Sequence, residues 1–422
     1  MTIFSTVRRA ASTRRVELGL FVFTGVAYAL TSAGMLWRQS AAPHFVYQAH
    51  AFLRGQLHLT APPPNLNDWV LVGGRWYVGF PPFPAVLMMP FVALRGLGLG
   101  DVAFTVFFGA LNVPLLYVLL RQIATADDER PASGDRPPWE HAAHALVYGF
   151  GTIAWYCAIR GEVWFTAETV GVTLTLLYLL AAHRARRPLL AGTALACAAI
   201  TRTPLAFSGI FFVLEVLAKG GALNQAGLSE WIRNRARRND GLRQLLAFGL
   251  PIAAVAAAMA WMNWARFGDA GEFGHRLLYA NRVNAQVRQY GLFHYHFLER
   301  NLHAAFTRLP ELEFNPLRLG FNGEGMSLFV TTPLFALLLW PKERSRLHGP
   351  LWLTAALIAV PGFFYQNGGW YQFGFRFSLD YTPYLVLLLS LGRWPITKVW
   401  WGLALAGVAV NAWGAAVFNR SG

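Results

Sequence analysis

The sequence predicts an all-α fold: a polytopic bundle of transmembrane helices that forms a single membrane domain over residues 1–422. Three observations predict it. The chain is 55% hydrophobic with a mean hydropathy of +0.36, more apolar surface than a soluble domain of this size could bury. Its charged residues, 14% of the total, fall in short bursts between apolar runs of roughly 16 to 22 residues, the length that crosses a ~30 Å hydrocarbon core as a helix. Those runs are continuous and rich in Leu, Ala, Val and Phe, whereas a barrel would need many alternating segments of about ten residues.

Taken in order, Arg8, Arg9, Arg14 and Arg15 place the amino terminus in the cytoplasm, and residues 17–36 form the first helix outward. That stretch lacks a small-residue cleavage site and is read as a permanent span. Residues 37–100 form a first external loop whose aromatic, Pro and Gly punctuation suits folded surface structure, with a short amphipathic interfacial helix over 44–54. The apolar segment 82–97 is short, interrupted by Pro90 and followed by GLGLG. If it crossed the membrane, the basic stretches RARR (184–187) and RNRARR (233–238) could not both lie inside, so it is read as a re-entrant or surface helix. The remaining spans are 101–120, 141–158, 165–183, 188–201, 203–218, 243–265, 327–340, 351–366, 380–392 and 399–418. With the first helix they make about eleven crossings and leave the carboxyl terminus outside. Two short spans meet at Thr201-Arg202-Thr203-Pro204, a turn sunk below the outer surface. Residues 219–242 read as a basic amphipathic helix on the cytoplasmic face, and 266–325 as a large external loop able to fold over the pit. No internal repeat or low-complexity tract is visible.

The formal charge of +15 would suggest nucleic acid in a soluble protein. Here the positive-inside bias and anionic lipid headgroups account for it, so membrane lipids are expected partners and nucleic acid is not. Cys157 and Cys197 both sit in apolar segments and read as packing residues. There is no P-loop, no GxGxxG before a strand, no HExxH and no Cys/His cluster, so neither nucleotide energy nor structural zinc is indicated.

The external side collects Asp68, Glu162, Glu168, Arg202, Arg266, Asp269, Glu272, His275, Arg276, Arg282, Arg288, His294, His296, Arg300, Arg376 and Asp380. External arginines run against the charge bias and call for partners, and the fixed fork of a guanidinium suits a lipid phosphate or pyrophosphate. A solvated face, or bridges to Glu299, Glu311 and Glu313, would serve equally for the loop arginines. Arg202, beside a Pro between two short spans, would be costly unpaired. Arg376 and Asp380 are four apart and could pair along the start of a helix. Chemistry on an alcohol acceptor needs a carboxylate or imidazole to take its proton. Asp68 is the only acid between residues 37 and 100, and reads either as that group or as a turn former after the Pro run. Glu162 and Glu168 bracket Trp164 and Phe165 at the end of a helix, next to rings able to stack on a sugar; capping is the alternative for Glu162. Trp164, Trp370 and Tyr371, with Asp269 and Glu272, are candidates for contact with sugar or acceptor. Most of the other external aromatics, among them Trp69, Trp76 and Tyr77, read as an interfacial belt.

Five stretches carry a resemblance: GGRWYVGFPPFPAVLMMPFVAL, FGALNVPLLYVLLRQI, PLLAGTALACAAITRTPLAF, NWARFGDAGEFGHR and WYQFGFRFSLDY. Together they resemble bacterial membrane glycosyltransferases of the GT-C superfamily, which includes protein O-mannosyltransferases and lipid A aminoarabinose transferases. The resemblance implies a bacterial inner-membrane enzyme taking a sugar from a polyprenyl-phosphate donor. Transfer would go to a glycan, lipid or protein acceptor on the periplasmic face, with inversion at the anomeric carbon. It also implies an acid just beyond the first span, and here the sequence departs from the pattern. In YQAHAFLRG, where a relative would carry an acid, stands His50. Either Asp68 folds back as the base, which is the favoured reading, or His50 serves, or activity has been lost. Arg202 is the leading ligand for the carrier phosphate, with Arg276 and Arg376 beside it. The sugar, the acceptor and any divalent metal have no readable motif. A transporter or lipid flippase is the competing class; it would bury ionisable groups near mid-membrane, often between repeated halves, and these spans are almost free of charge.

Overall fold

The computed structural model describes residues 3–126, 136–223, 227–279, 281–314 and 317–418. The side chains of residues up to 13, of 281–284 and of 313–318 lie outside it, and with them the expectations for Arg8, Arg9, Arg282 and Glu313. The architecture is helical. Helix α1 (Ile3–Thr31) leads to a loop holding α2 (His44–Phe52), a hairpin of β1 (Trp69–Val72) and β2 (Arg75–Val78), and α3 (Phe83–Arg95). Then follow α4 (Asp101–Ala124), α5 (Pro138–Phe150), α6 (Ala154–Ala158), α7 (Val163–Ala182), α8 (Pro188–Ala199), α9 (Gly209–Lys219), α10 (Gly227–Arg233) and α11 (Arg235–Phe267). The long loop after α11 carries α12 (Asn281–Tyr290), α13 (Leu298–Leu302) and a hairpin of β3 (Glu311–Phe314) and β4 (Leu317–Gly320). The chain closes with α14 (Leu328–Thr331), α15 (His348–Phe364), α16 (Thr382–Leu391) and α17 (Lys398–Val417).

Helical structure falls in every segment expected to span. Among the described residues, four helices are long and apolar enough to cross a membrane by length and composition: α4, α7 with the turn after it, α11 and α17. Shorter apolar helices include α3, α8, α15 and α16. Close backbone approach explains the tightest seam, α8 on α11: a Cβ on Gly192 would stand 2.0 Å from the Phe248 carbonyl oxygen. Between α4 and α7 a polar clasp replaces close approach. Thr173 Oγ1 donates to Asn112 Oδ1 at 2.6 Å, and Asn112 Nδ2 donates to the Thr169 carbonyl at 3.0 Å, so both buried amide ends are satisfied.

Several expectations are corrected. The helix expected over 44–54 forms as His44–Phe52, with His44, Phe45, Val46, Gln48, Ala49 and Ala51 buried against the rest of the chain. Residues 219–242 are not one amphipathic helix: Asn234 ends α10 and caps α11 by accepting from the Arg237 N–H, and α11 then runs through the expected span without a break. The span at 327–340 is a four-residue α-turn and a 3₁₀ segment, Pro333–Leu339, because Pro333 supplies no donor to continue the helix. The 141–158 span breaks between α5 and α6. The hairpin β1–β2 was not expected at all, although VLVGGRWYV carries its signal: Gly73 and Gly74 have φ of 57° and 73°, as a two-residue hairpin turn requires.

Segment 82–97 is held at both of its ends. The Phe83 N–H donates to the Ile200 carbonyl at the end of α8 (3.0 Å), and Gln39 Nε2, just beyond α1, donates to the Leu97 carbonyl (2.7 Å). Both ends of α3 are therefore tied to the same end of the bundle. At the opposite end, buried Glu215 accepts from Arg346 Nη1 at 2.6 Å and from the Arg184 N–H, locking α9 to the turns after α7 and before α15.

Candidate functional site

Four charged side chains from three parts of the chain meet at the end of the bundle where α3 lies. Glu168, in the second turn of α7, is fully buried; its Oε1 is 2.6 Å from Arg376 Nη1. Arg202, in the turn between α8 and the 3₁₀ segment Thr203–Ser208, forms a two-pronged pair with Asp380: Nε to Oδ1 at 3.0 Å and Nη2 to Oδ2 at 2.6 Å. Its Nη1 keeps only a 3.7 Å contact to Glu168. The ring of Phe377 lies under both guanidinium groups, 5.2 Å from that of Arg202 and 4.9 Å from that of Arg376. Gly171, one turn beyond Glu168, makes room for the arginine stem, since a Cβ there would stand 3.3 Å from Arg202 Cγ.

The expected Arg376–Asp380 pair does not form. Residues 376–380 are a 3₁₀ helix, so positions four apart point in different directions. Arg376 instead reaches Glu168 and donates from Nε to the Gly369 carbonyl at 3.1 Å, while its own N–H donates to Gln372 Oε1 at 2.8 Å. Sequence reasoning missed Gln372; in WYQFGFR its only signal is its place four residues before Arg376. With two arginines and two carboxylates the cluster is charge-balanced, which is how buried charges are held.

Asp68 adds a further carboxyl. It sits at the start of the β1–β2 hairpin with φ of 60°, a left-handed conformation that costs a non-glycine residue of order 1 kcal/mol. Its Oδ2 accepts from Trp164 Nε1 at 3.1 Å, which brings the first loop onto the start of α7. Burial raises its pKa above the usual carboxylate value, against the opposing pull of the Trp164 bond and the Arg376 charge. His275, from the loop after α11, also reaches this region: burial, together with the charges of Arg202 and Arg266, lowers its pKa to about 4.

The other candidates lie apart from this group. His50 contacts Thr60 Oγ1 at 2.8 Å and also Arg54; partial burial and the Arg54 charge lower its pKa. Glu162 stands at the amino-terminal end of α7, in the cap position, but its side chain makes no cap bond; it pairs with Arg160 at 2.6 Å. Asp269 and Glu272 accept from the N–H groups of Gly271 and Gly274, two residues on, as local turn formers. Arg276 is exposed. Arg266 is spoken for: it donates to the Val78 carbonyl at 3.0 Å and to Asn263 Oδ1 at 2.7 Å, tying β2 to the end of α11. Trp370 and Tyr371, 57% and 44% exposed, directly follow Gly369 and flank the cluster. Cys157 and Cys197 are both free thiols. Among the described residues no group of three or more His, Cys, Asp or Glu side chains is placed to hold a metal ion.

No family model and no curated protein matches the sequence. Solved structures do. The chain is similar to the apo oligosaccharyltransferase of Archaeoglobus fulgidus, with 14% identity and a TM-score of 0.45 over 95% of this chain and 56% of that one. It is similar to ArnT from Cupriavidus metallidurans bound to undecaprenyl phosphate, with 16% identity and a TM-score of 0.47 over 93% of this chain and 63% of that one. It is also similar to the S. cerevisiae protein O-mannosyltransferase Pmt1-Pmt2 complex bound to the sugar donor, with 16% identity and a TM-score of 0.40 over 68% of this chain and 36% of that one. The chain therefore spans between 36% and 63% of the length of these solved chains.

Proposed function

We propose that the protein is an inverting glycosyltransferase that moves a sugar from a polyprenyl-phosphate carrier to a hydroxyl on a glycan, lipid or protein acceptor. The reaction is placed on the external face of a bacterial inner membrane, with the amino terminus cytoplasmic and the carboxyl terminus outside. The observation that carries this reading is the position of Asp68: a partly buried carboxyl with raised proton affinity, bonded by Trp164 and within the field of the buried Arg376 guanidinium.

In the proposed step Asp68 takes the acceptor's hydroxyl proton as its oxygen attacks the anomeric carbon. The new carbon–oxygen bond forms on the face opposite the phosphate, and the old bond breaks with its electron pair leaving on the phosphate. A raised pKa makes Asp68 a stronger base than an ordinary carboxylate. Arg202 is the preferred phosphate ligand because Nη1 is the guanidinium nitrogen that Asp380 leaves available. Arg376, anchored on Glu168 and the Gly369 carbonyl, adds positive charge alongside. Trp164, fixed by its bond to Asp68, presents a ring for stacking on the sugar.

The test is transfer or hydrolysis by purified protein in nanodiscs offered a panel of radiolabelled polyprenyl-phosphate sugars. Asp68→Asn should lower turnover by about 10²–10⁴-fold, the range for losing a general base. Arg202→Ala should also lower it, and His50→Ala should change it only a few-fold. Because Asp68 acts ionised, the rate should rise with pH through its midpoint, above the usual ~3.9 of an aspartate. Absence of any transfer or hydrolysis across the panel, or full activity in Asp68→Asn, would overturn the reading.

A further inference from the structure

The tripeptide Asn67-Asp68-Trp69 is gripped on both sides of its carboxylate by one buried ring. His44, the first residue of α2, is fully buried and stacks on the Trp69 indole, with ring centroids 3.8 Å apart and planes 11° apart. Its Nε2 lies 3.1 Å from the Asn67 carbonyl oxygen. A carbonyl can only accept, so the imidazole carries a proton on Nε2 and donates. Burial lowers the pKa of His44 to about 4, which keeps the ring neutral and the stack intact at ordinary pH.

Asn65 completes the grip. Its Nδ2 donates to the Ala41 carbonyl at 2.8 Å, and its Oδ1 accepts from the Asn67 N–H at 3.0 Å and from Trp69 Nε1 at 3.3 Å. The Asp68 N–H donates to the Tyr279 carbonyl at 3.3 Å. A left-handed aspartate persists only where its surroundings over-determine it, and these bonds are the surroundings. Released from them, the residue would relax to an ordinary conformation and swing its carboxyl away from Trp164.

We infer that His44 is a positioning residue for Asp68: by stacking on Trp69 and bonding Asn67 it holds the strained turn that aims the carboxylate at Trp164, within the field of Arg376. The role in catalysis rests on the reading of Asp68 as the base. The geometry does not.

The test therefore reads Asp68 directly. Protein carrying ¹³C-carboxyl aspartate is titrated in nanodiscs by infrared difference spectroscopy, and the Asp68 band is assigned by subtracting the Asp68→Asn spectrum. The charged and titratable groups that face Asp68 are Arg376 and Tyr365, neither of which a change at His44 removes. His44→Phe keeps a flat ring on Trp69 and deletes the donor; His44→Gln keeps a donor and deletes the stack. In His44→Phe the Asp68 midpoint should fall toward the usual ~3.9 as the turn relaxes and the carboxyl meets water. His44→Gln should give a smaller fall. A midpoint unchanged from wild type in the folded variants overturns the inference; if His44→Phe does not fold, His44→Gln decides alone. A shifted midpoint in a protein that transfers no sugar would sink the transferase reading and leave the positioning role standing.

Discussion

Glu168→Gln removes one charge from the centre of the buried network with almost no change in volume. Glu168 is fully buried and Arg376 is 4% exposed, so neither charge is screened by water. Asp380 cannot take over, because both of its oxygens are committed to Arg202. The substitution therefore leaves the Arg376 guanidinium without its 2.6 Å carboxylate partner, and breaking a buried pair from one side costs about 3–5 kcal/mol. Removing both charges, Glu168→Gln with Arg376→Gln, restores the balance and should recover most of that loss. The assay is equilibrium unfolding in mixed detergent micelles followed by tryptophan fluorescence, with Asp269→Asn, in an exposed turn, as the surface control. The reasoning fails if Glu168→Gln costs no more than the control, about 0.5 kcal/mol, or if the double variant loses the full sum of its single changes.

The buried imidazole of His44 has a folded pKa of about 4, below its ordinary value, so the stability it contributes is present above pH ~6.5 and is lost as pH falls through about 4. Over that window it accounts for about 3 kcal/mol, which should appear as the difference between wild-type and His44→Phe pH–stability curves. Gly192→Ala should destabilise the protein by at least ~1–3 kcal/mol, because its Cβ would lie 2.0 Å from the Phe248 carbonyl oxygen. Gly249→Ala, with open space around it, should be neutral or stabilising in the same unfolding assay. Buried Cys157 should resist maleimide in the folded protein while partly exposed Cys197 reacts, and both should label after denaturation, as counted by intact mass.

Much of the fold is legible in particular runs of residues. Apolar length marks the helices because lipid demands that each crossing segment satisfy its own backbone. The basic stretches at 184–187 and 233–238 led to the reading of 82–97 as a helix that does not cross, and both of its ends are tied to one end of the bundle. Composition hid the β1–β2 hairpin, since a short strand pair inside an apolar chain contributes nothing to hydropathy; its Gly-Gly turn was the readable sign. The merging of a basic helix into α11 was hidden because charge marks a membrane boundary, whereas backbone hydrogen bonding ignores it.

At the site, residue types alone singled out Asp68, Glu168, Arg202 and Arg376, because charge in a lipid-adapted chain is costly and therefore rare enough to stand out. Which charges pair was beyond the sequence. Four residues of α-helix bring side chains back to about 40° of each other, but four residues of 3₁₀ helix leave them about 120° apart. That difference sends Arg376 to Glu168, 208 positions away in the chain, and Asp380 to Arg202, 178 positions away. The support beneath Asp68 was equally hidden, since a neutral buried histidine looks like any other until its ring is seen lying on Trp69. Sequence by itself determined that this is a helical membrane chain with its scarce charges gathered in a few loops. Tertiary structure alone decided which of them meet, because pairing inside a low-dielectric core is set by where helices end and turn, not by how far apart residues stand along the chain.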